Sequence, residues 1–311
     1  MAMRILVLGA GALGGYFGGR LAEAGGDVTF LVRPKRAMQL AEHGLVLESQ
    51  FGHASLRVNT VGQAGPGYDL VLLTCKAYDL DAAIQAIRPA MQAGTAVLPV
   101  LNGLSHIETL TTAFGAGNVL GGLAKIQATM AADGTVKQLN DWRWLTFGEL
   151  DGRMSGRVLA LAELAAKAKG VVATAVPDIL AQMWEKLVHL GTSAAGTVLL
   201  RANTGEIVRA GGSPFLLTLL DRNAAIAAHH GYPPSASFLE GFRQVFSDPA
   251  GGYSTSMLRD LEAGGRIEAD HILGFMLAAA KRAGVPHEIH EAALLHAKAY
   301  EQRRDAGRLP R

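Results

Sequence analysis

The sequence has little of what would tie it to an oxidising compartment, a nucleic acid or a membrane. One cysteine, Cys75, occurs in 311 residues, so no intramolecular disulfide can form. Lys plus Arg number 29 against 27 Asp plus Glu, a net charge of +2. No dense basic run supplies the electrostatic footprint that nucleic-acid binders need, and nucleic acid is set aside as a partner. No apolar run approaches the roughly 18–20 residues that span a bilayer. The most apolar stretches are broken by Gly, Pro, Asn or Lys, so no membrane partner is expected. The N-terminal "MAMRILVLGAGALGG" lacks the cleavage site and flanks of a signal peptide, which makes the cytoplasm the expected location. No metal site is expected.

Charged residues are also sparse, at 18% of the chain, below the roughly 25% of ordinary globular proteins. Hydrophobic residues reach 49%, enough for a large core. The length suits two domains of the usual roughly 100–200 residues each.

Strands and helices alternate through the first half. Arg4 to Leu8 is a short apolar run closed by a glycine cluster, and Leu13 to Ala24 then has helical spacing. "DVTFLVR" (27–33), "YDLVLLTCK" (68–76) and "TAVLPVLNG" (95–103) read as further strands with helical segments among them. This alternation predicts βαβ units, a parallel sheet and a doubly wound α/β domain. After Gly122, "LAKIQATM", "GTVKQL" and "WLTFGEL" are short β-like runs, with an Asp-Gly turn between the first two, and predict a sheet extension or meander. A helix near Val158 to Lys169 and a strand at Val171 to Ala175 follow, and from about Pro177 the pattern is wholly helical. The expected division is residues 1–176, a Rossmann-type domain, and residues 177–311, an all-α domain.

Gly9, Gly11 and Gly14 form G-x-G-x-x-G between a predicted strand and a predicted helix. In that context Gly9 permits a tight turn, Gly11 lets a pyrophosphate approach the backbone, and Gly14 allows close helix–strand packing. The second strand ends in Arg33, where an NAD-type site carries Asp or Glu. A guanidinium clamps a 2′-phosphate and cannot accept a ribose hydroxyl's hydrogen bond, so NADP(H) is favoured over NAD(H). Lys35 and Arg36 add charge nearby, as assistants or as a solvated basic loop. Lys76 and Asn102 close two further strands, the position from which side chains face a ligand in open α/β sheets. Cys75 reads as a small core residue.

In the helical half, Pro177 and Asp178 fit a first helical turn. Asp178, Gln182, Glu185 and His189 then share a polar arc, and Ile179, Met183, Leu187, Leu190 and Ala194 an apolar one. Lys186 falls on the border, either snorkelling to water or reaching into a site. Further on, Ser256 and Glu268 stand where helices begin, Glu268 on the face of a stripe that includes Ile272, Phe275 and Ala279.

"GAGALGG", "CKAYD", "LNGL", "WEKL" and "SMLRDLEAGGRIEADHILG", in this order and at these separations, resemble the ketopantoate reductase (2-dehydropantoate 2-reductase) family over nearly the whole chain. The resemblance implies a Rossmann domain joined to a helical domain of the 6-phosphogluconate dehydrogenase type, with NADPH and a 2-keto acid meeting in a cleft. It implies an oxidoreductase that reduces 2-dehydropantoate to pantoate, towards pantothenate and coenzyme A. By motif, Lys186 matches the catalytic lysine, Glu268 its acidic partner and Ser256 a substrate contact. Asn102 and Lys76 match residues near nicotinamide and substrate. Hydride addition leaves negative charge on the keto oxygen, which a positioned ammonium stabilises and protonates. The family commonly places asparagines four and eight residues after the lysine, where this chain has Leu190 and Ala194. That departure implies either a different 2-keto acid or the same acid held by His189, Thr192 or Ser193. A non-catalytic NADPH-binding regulator is the alternative of another class, and the conjunction of Lys186, Ser256 and Glu268 speaks against it. A homodimer through the helical domain is a further expectation.

Overall fold

The structure, a computed structural model, describes residues 2–309. The chain divides into two compact units. One runs through Leu101 and resumes at His106–Ile179; the other joins Asn102–Ser105 to the residues from Leu180 onward.

The first unit carries β1 (Arg4–Leu8), α1 (Ala12–Glu23), β2 (Asp27–Leu31), α2 (Pro34–His43), β3 (Leu45–Glu48), β4 (Ala54–Leu56), β5 (Asn59–Val61), β6 (Leu70–Leu73), α3 (Leu80–Ile87) and β7 (Ala96–Pro99). It continues with α4 (Ser105–Phe114), β8 (Leu120–Lys125), β9 (Ala128–Met130), β10 (Val136–Gln138), β11 (Trp144–Glu149), α5 (Gly156–Ala165) and β12 (Val172–Ala175). The main sheet has the order β5-β2-β1-β6-β7, every pair parallel. Both of its faces are covered, so β6 and β7 are buried along their whole length and read as unbroken apolar runs. The two-residue period sends Ile5 and Val7 into one core with Phe17 and Phe30, and Leu6 into the other with Ile84 and Val97.

The runs after Gly122 do not form one extension. β8 and β11 pair antiparallel, with β12 parallel to β11. β9 and β10 form a hairpin across the Asp133–Gly134 turn, and β10 then joins β3, giving the order β4-β3-β10-β9. This second sheet lies against α1, where the Tyr16 hydroxyl is 2.8 Å from Gln138 Oε1 and 2.6 Å from the Gly170 carbonyl oxygen. Arg20, wholly buried, pairs with Glu23 at 2.7 Å and donates to the Gly52 carbonyl.

The second unit is helical: α6 (Ile179–Leu200), α7 (Thr204–Arg209), α8 (Ser213–His229), α9 (Ala236–Val245), α10 (Ser256–Glu262), α11 (Phe275–Ala283) and α12 (Glu288–Asp305). Pro177 and Asp178 precede α6, where the sequence pattern had put them in its first turn. A π-helical turn, Asp270–Gly274, leads into α11. Among the described residues no helix is long and apolar enough to cross a membrane.

The hydroxyls buried in α6 turn back on their own helix. Thr192 donates to the Val188 carbonyl at 2.8 Å, Ser193 to that of His189 at 2.9 Å, and Thr197 to that of Ser193 at 2.7 Å. Asn223 of α8 donates to Thr192 Oγ1 at 2.9 Å and accepts from His290 Nε2 of α12 at 2.7 Å. Burial, reinforced by Arg222 and His287, pushes the His290 imidazole down to about 4 from 6.5. The unfolded chain therefore binds more protons between those two values. Stability from this group is complete above pH 6.5 and is lost as pH falls towards 4, a change of about 3 kcal/mol. Urea midpoints from pH 7 to 4.5 should decline more steeply for the wild type than for His290→Gln; parallel declines would remove His290 as the source.

Candidate active site

The glycine turn after β1 meets three separate constraints. Gly9 has φ +86°, a region that favours glycine. Gly11 caps α1 in an extended conformation with clear space where a Cβ would stand. A Cβ on Gly14 would collide with the Gly9 carbonyl and lie 2.6 Å from Thr74 Oγ1. Thr74 in turn donates to the Leu8 carbonyl at 2.8 Å, tying the end of β6 to the end of β1. Neither a capping side chain nor a first-turn acid sits at the start of α1. Its N–H groups and positive dipole end thus fit the pyrophosphate of a dinucleotide. The turn also lies at the β1/β6 position where the strand order reverses, the usual place for such a ligand.

Arg33 ends the β2 segment as the exposed residue preceding α2, and Lys35 is exposed as well. Arg36 differs from both: its Nε donates to the Ala10 carbonyl at 3.0 Å within the glycine turn. Burial lowers its pKa from the ordinary arginine value, with Asp133 opposing the shift. Arg36 therefore braces the turn, leaving Arg33 and Lys35 as the exposed cations. Lys76 is half-buried just before a single 3-10 turn, Ala77–Asp79, and Cys75 is half-buried beside it.

Lys186, Glu268, Ser256 and Asn102 all belong to the helical unit. Asn102 follows β7 in the chain but groups with the helices, which the strand-end reading does not anticipate. Lys186 is half-buried near the start of α6. The Trp184 ring fixes that end of the helix, stacking on His230 at 5.1 Å and Tyr232 at 6.1 Å and meeting Phe275 of α11 at 5.9 Å. Farther along, Gly191 lets Met276 of α11 approach so closely that a Cβ would stand 3.1 Å from its Cγ. The helix bearing Lys186 thus packs on the helix that follows Glu268. Glu268 itself is buried, just ahead of the π-turn. Ser256 begins α10, but the cap is supplied by Thr255, whose Oγ1 accepts from the Leu258 N–H and lies 2.9 Å from Thr197 Oγ1 of α6.

Leu190 and Ala194 lie one and two turns beyond Lys186 and continue its face of α6. Thr192 and Ser193, proposed from sequence as replacement donors, spend their hydroxyl protons on helix carbonyls. His189 is not a water-facing residue of a polar arc. Its ring stacks on Phe242 at 4.2 Å and lies 5.3 Å from Tyr253 and 6.4 Å from Phe246. Burial raises the Tyr253 hydroxyl to about 12. Two further polar residues are brought together without a sequence signal for either: His271 Nδ1 is 2.6 Å from Ser105 Oγ. Only the spacing of His271 three residues after Glu268 could have drawn attention to it.

Sheet order, glycine turn and helical unit together define an oxidoreductase with a Rossmann-type nucleotide domain. Residues 5–152 match the family described as ketopantoate reductase PanE/ApbA, and residues 178–301 match ketopantoate reductase PanE/ApbA C terminal. The chain belongs to the ketopantoate reductase family, oxidoreductases acting on CH–OH groups. It is 33% identical over 301 residues to an uncharacterized oxidoreductase, YkpB, of Bacillus subtilis, covering 96% of this chain and 99% of that protein. It is 31% identical over 295 residues to a 2-dehydropantoate 2-reductase of Archaeoglobus fulgidus, covering 94% and 95% respectively. The crystal structure of a 2-dehydropantoate 2-reductase from Geobacter metallireducens superposes with a TM-score of 0.85 at 30% identity, covering 96% of this chain and 99% of that one.

The glycines separate stability from ligand approach. Gly14→Ala should destabilise the ligand-free protein by about 1–3 kcal/mol, because backbone must move. Gly11→Ala should leave the melting temperature unchanged and weaken dinucleotide binding in a titration. Equal melting temperatures for the two variants would contradict the packing assigned to Gly14.

Proposed function

We propose that the protein reduces a 2-keto acid to the 2-hydroxy acid with NADPH in the cytoplasm, and that the substrate is 2-dehydropantoate, giving pantoate for pantothenate biosynthesis. The observation that carries this reading is the placement of Lys186, half-buried, on a helix packed against the one that follows the buried carboxyl of Glu268. Both relatives with an assigned activity described above are 2-dehydropantoate 2-reductases.

Gly9, Gly11 and Gly14 would hold the pyrophosphate at the start of α1, and Arg33 would bind the 2′-phosphate. Lys76 lines the nicotinamide side. The nicotinamide, when bound, supplies the hydride. Lys186 stabilises the charge developing on the substrate's C2 oxygen and transfers a proton from Nζ to it. Glu268 supports the ammonium as its acidic partner, the Asn102 amide orients the carbonyl, and Ser256 donates to the carboxylate or a hydroxyl.

One observation favours a second substrate within the same chemistry. Leu190 and Ala194 make the face beyond Lys186 apolar, and Thr192 and Ser193 have no proton left for a ligand. A stretch of α6 without donors gives a substrate hydroxyl no reward there, which suits a 2-keto acid with a plainer branched chain.

A panel of 2-keto acids assayed by NADPH absorbance tests both readings. Ketopantoate as the best substrate supports the first, an unhydroxylated branched keto acid the second, and no turnover with any of them refutes the reductase. Lys186→Ala should lower kcat by about 10²–10⁴-fold with NADPH affinity little changed; near-normal turnover would remove Lys186 as the acid. Arg33→Ala should weaken NADPH and spare NADH, whereas equal loss with both would sink the 2′-phosphate role.

A further inference from the structure

We propose that His271 is a positioning residue for this reaction, clamping the Asn102–Ser105 segment onto the π-turn that follows Glu268 and so setting where the Asn102 amide stands. The inference rests on the roles proposed above for Asn102 and Glu268.

Three of the four residues in that segment meet His271. Ser105 Oγ lies 2.6 Å from Nδ1. Gly103 has φ +84°, and a Cβ there would stand 3.0 Å from Cδ2, 3.2 Å from Nε2 and 3.2 Å from the His271 carbonyl oxygen, so the ring lies flush on the Gly103 backbone. The backbone of Asn102 also acts on the ring, pulling its pKa up. The segment is thus held by its backbone and one hydroxyl, and the Asn102 side chain takes no part in those three contacts.

The other half of the clamp is the turn itself. An α-helix beginning after Glu268 would present its side chains at 100° per residue. The π-helical Asp270–Gly274 widens the turn and re-aims what it carries, a feature frequent at functional sites. Glu268 enters this turn, its carbonyl accepting from the Ile272 N–H at 3.2 Å. Lys298 of α12 anchors the turn from outside, 2.7 Å from Asp270 Oδ2 and 2.6 Å from Glu301. Burial pushes the His271 imidazole below its ordinary pKa, while the Glu268 charge and the Asn102 backbone pull it up. One half-buried ring therefore senses both the Glu268 carboxyl and the backbone of the residue whose amide is assigned to the reaction. A side chain serving only to fill space would do so at less cost as a leucine.

The test uses the full-length protein, NADPH and the best keto acid of the panel. His271→Leu should lower kcat by about 10–100-fold while changing NADPH affinity less than about twofold. Ser105→Ala should lower kcat in the same sense, and adding it to His271→Leu should cost nothing more, because the two act through one contact. Ser105→Thr, which keeps the hydroxyl, and His271→Asn, which keeps a polar atom near Nδ1, should recover part of the loss. If His271→Leu fails to fold, the Ser105 pair and His271→Asn carry the comparison. A lowered melting temperature with kcat unchanged in these variants would overturn the clamp, provided Lys186→Ala is inactive in the same assay. Turnover surviving Lys186→Ala would refute the proton donor whatever the His271 variants do.

Discussion

The helical unit is organised by the burial of α6. From Trp184 to Val198 the helix is buried or half-buried, and a helix enclosed in this way has to satisfy every neighbour at once. It does so with small residues where other helices come close: Gly191 admits Met276 and Asn223, and Gly196 admits Leu216. Where a hydroxyl is enclosed, it donates to a carbonyl of the same helix, and Thr192 also accepts from Asn223, which is paired in turn with His290. Lys186 is the only lysine or arginine on α6, and its backbone inherits the rigidity of these contacts. A proton donor gains from such a support, since misplacement by about 1 Å can cost 10²-fold in rate.

The nucleotide-binding unit meets a comparable demand with backbone instead of side chains. Gly14 brings α1 against the Gly9 carbonyl, Thr74 fastens β6 to β1, and Arg36 holds the Ala10 carbonyl from the side. The turn is braced on three sides and open above Gly11. Arg36 is half-buried against the turn, so the exposed cations at the end of β2 are Arg33 and Lys35.

Features governed by local periodicity were legible in the sequence. The strand, glycine turn and helix around Gly9 to Gly14, the buried runs of β6 and β7, and the change to helix after β12 all follow from patterns within ten or fifteen residues. Features governed by non-local pairing were not. β3, β4 and β5 are only three or four residues long; β4 pairs with nearby β3, but β3 also pairs with β10 and β5 with β2, partners far away in the chain. The runs after Gly122 have the correct strand character, yet sequence does not disclose that β10 joins β3 while β11 joins β8. The surroundings of His189 are non-local for a related reason: a polar arc identifies a face, and only the tertiary fold shows that Phe242, Phe246 and Tyr253 meet it. The π-turn that re-aims His271 has no sequence signature, and Ser105 is 166 positions away.

The family match carries chemistry further than it carries substrate, for a physical reason. Proton donation to an oxyanion needs one ammonium in one place, a requirement that does not change with the rest of the substrate. Recognition of a substrate hydroxyl needs a donor or acceptor of its own, and its loss leaves an apolar surface that still binds carbon. Leu190 and Ala194 place apolar side chains on the helix that also carries Lys186. A chain can therefore stay within the family at 31–33% identity to its relatives and keep the reducing site while its preference moves among keto acids. Where a donor has been replaced by an apolar side chain, discrimination rests on shape and apolar area, for which one methylene is worth about 1–3 kcal/mol, and not on a paired hydrogen bond.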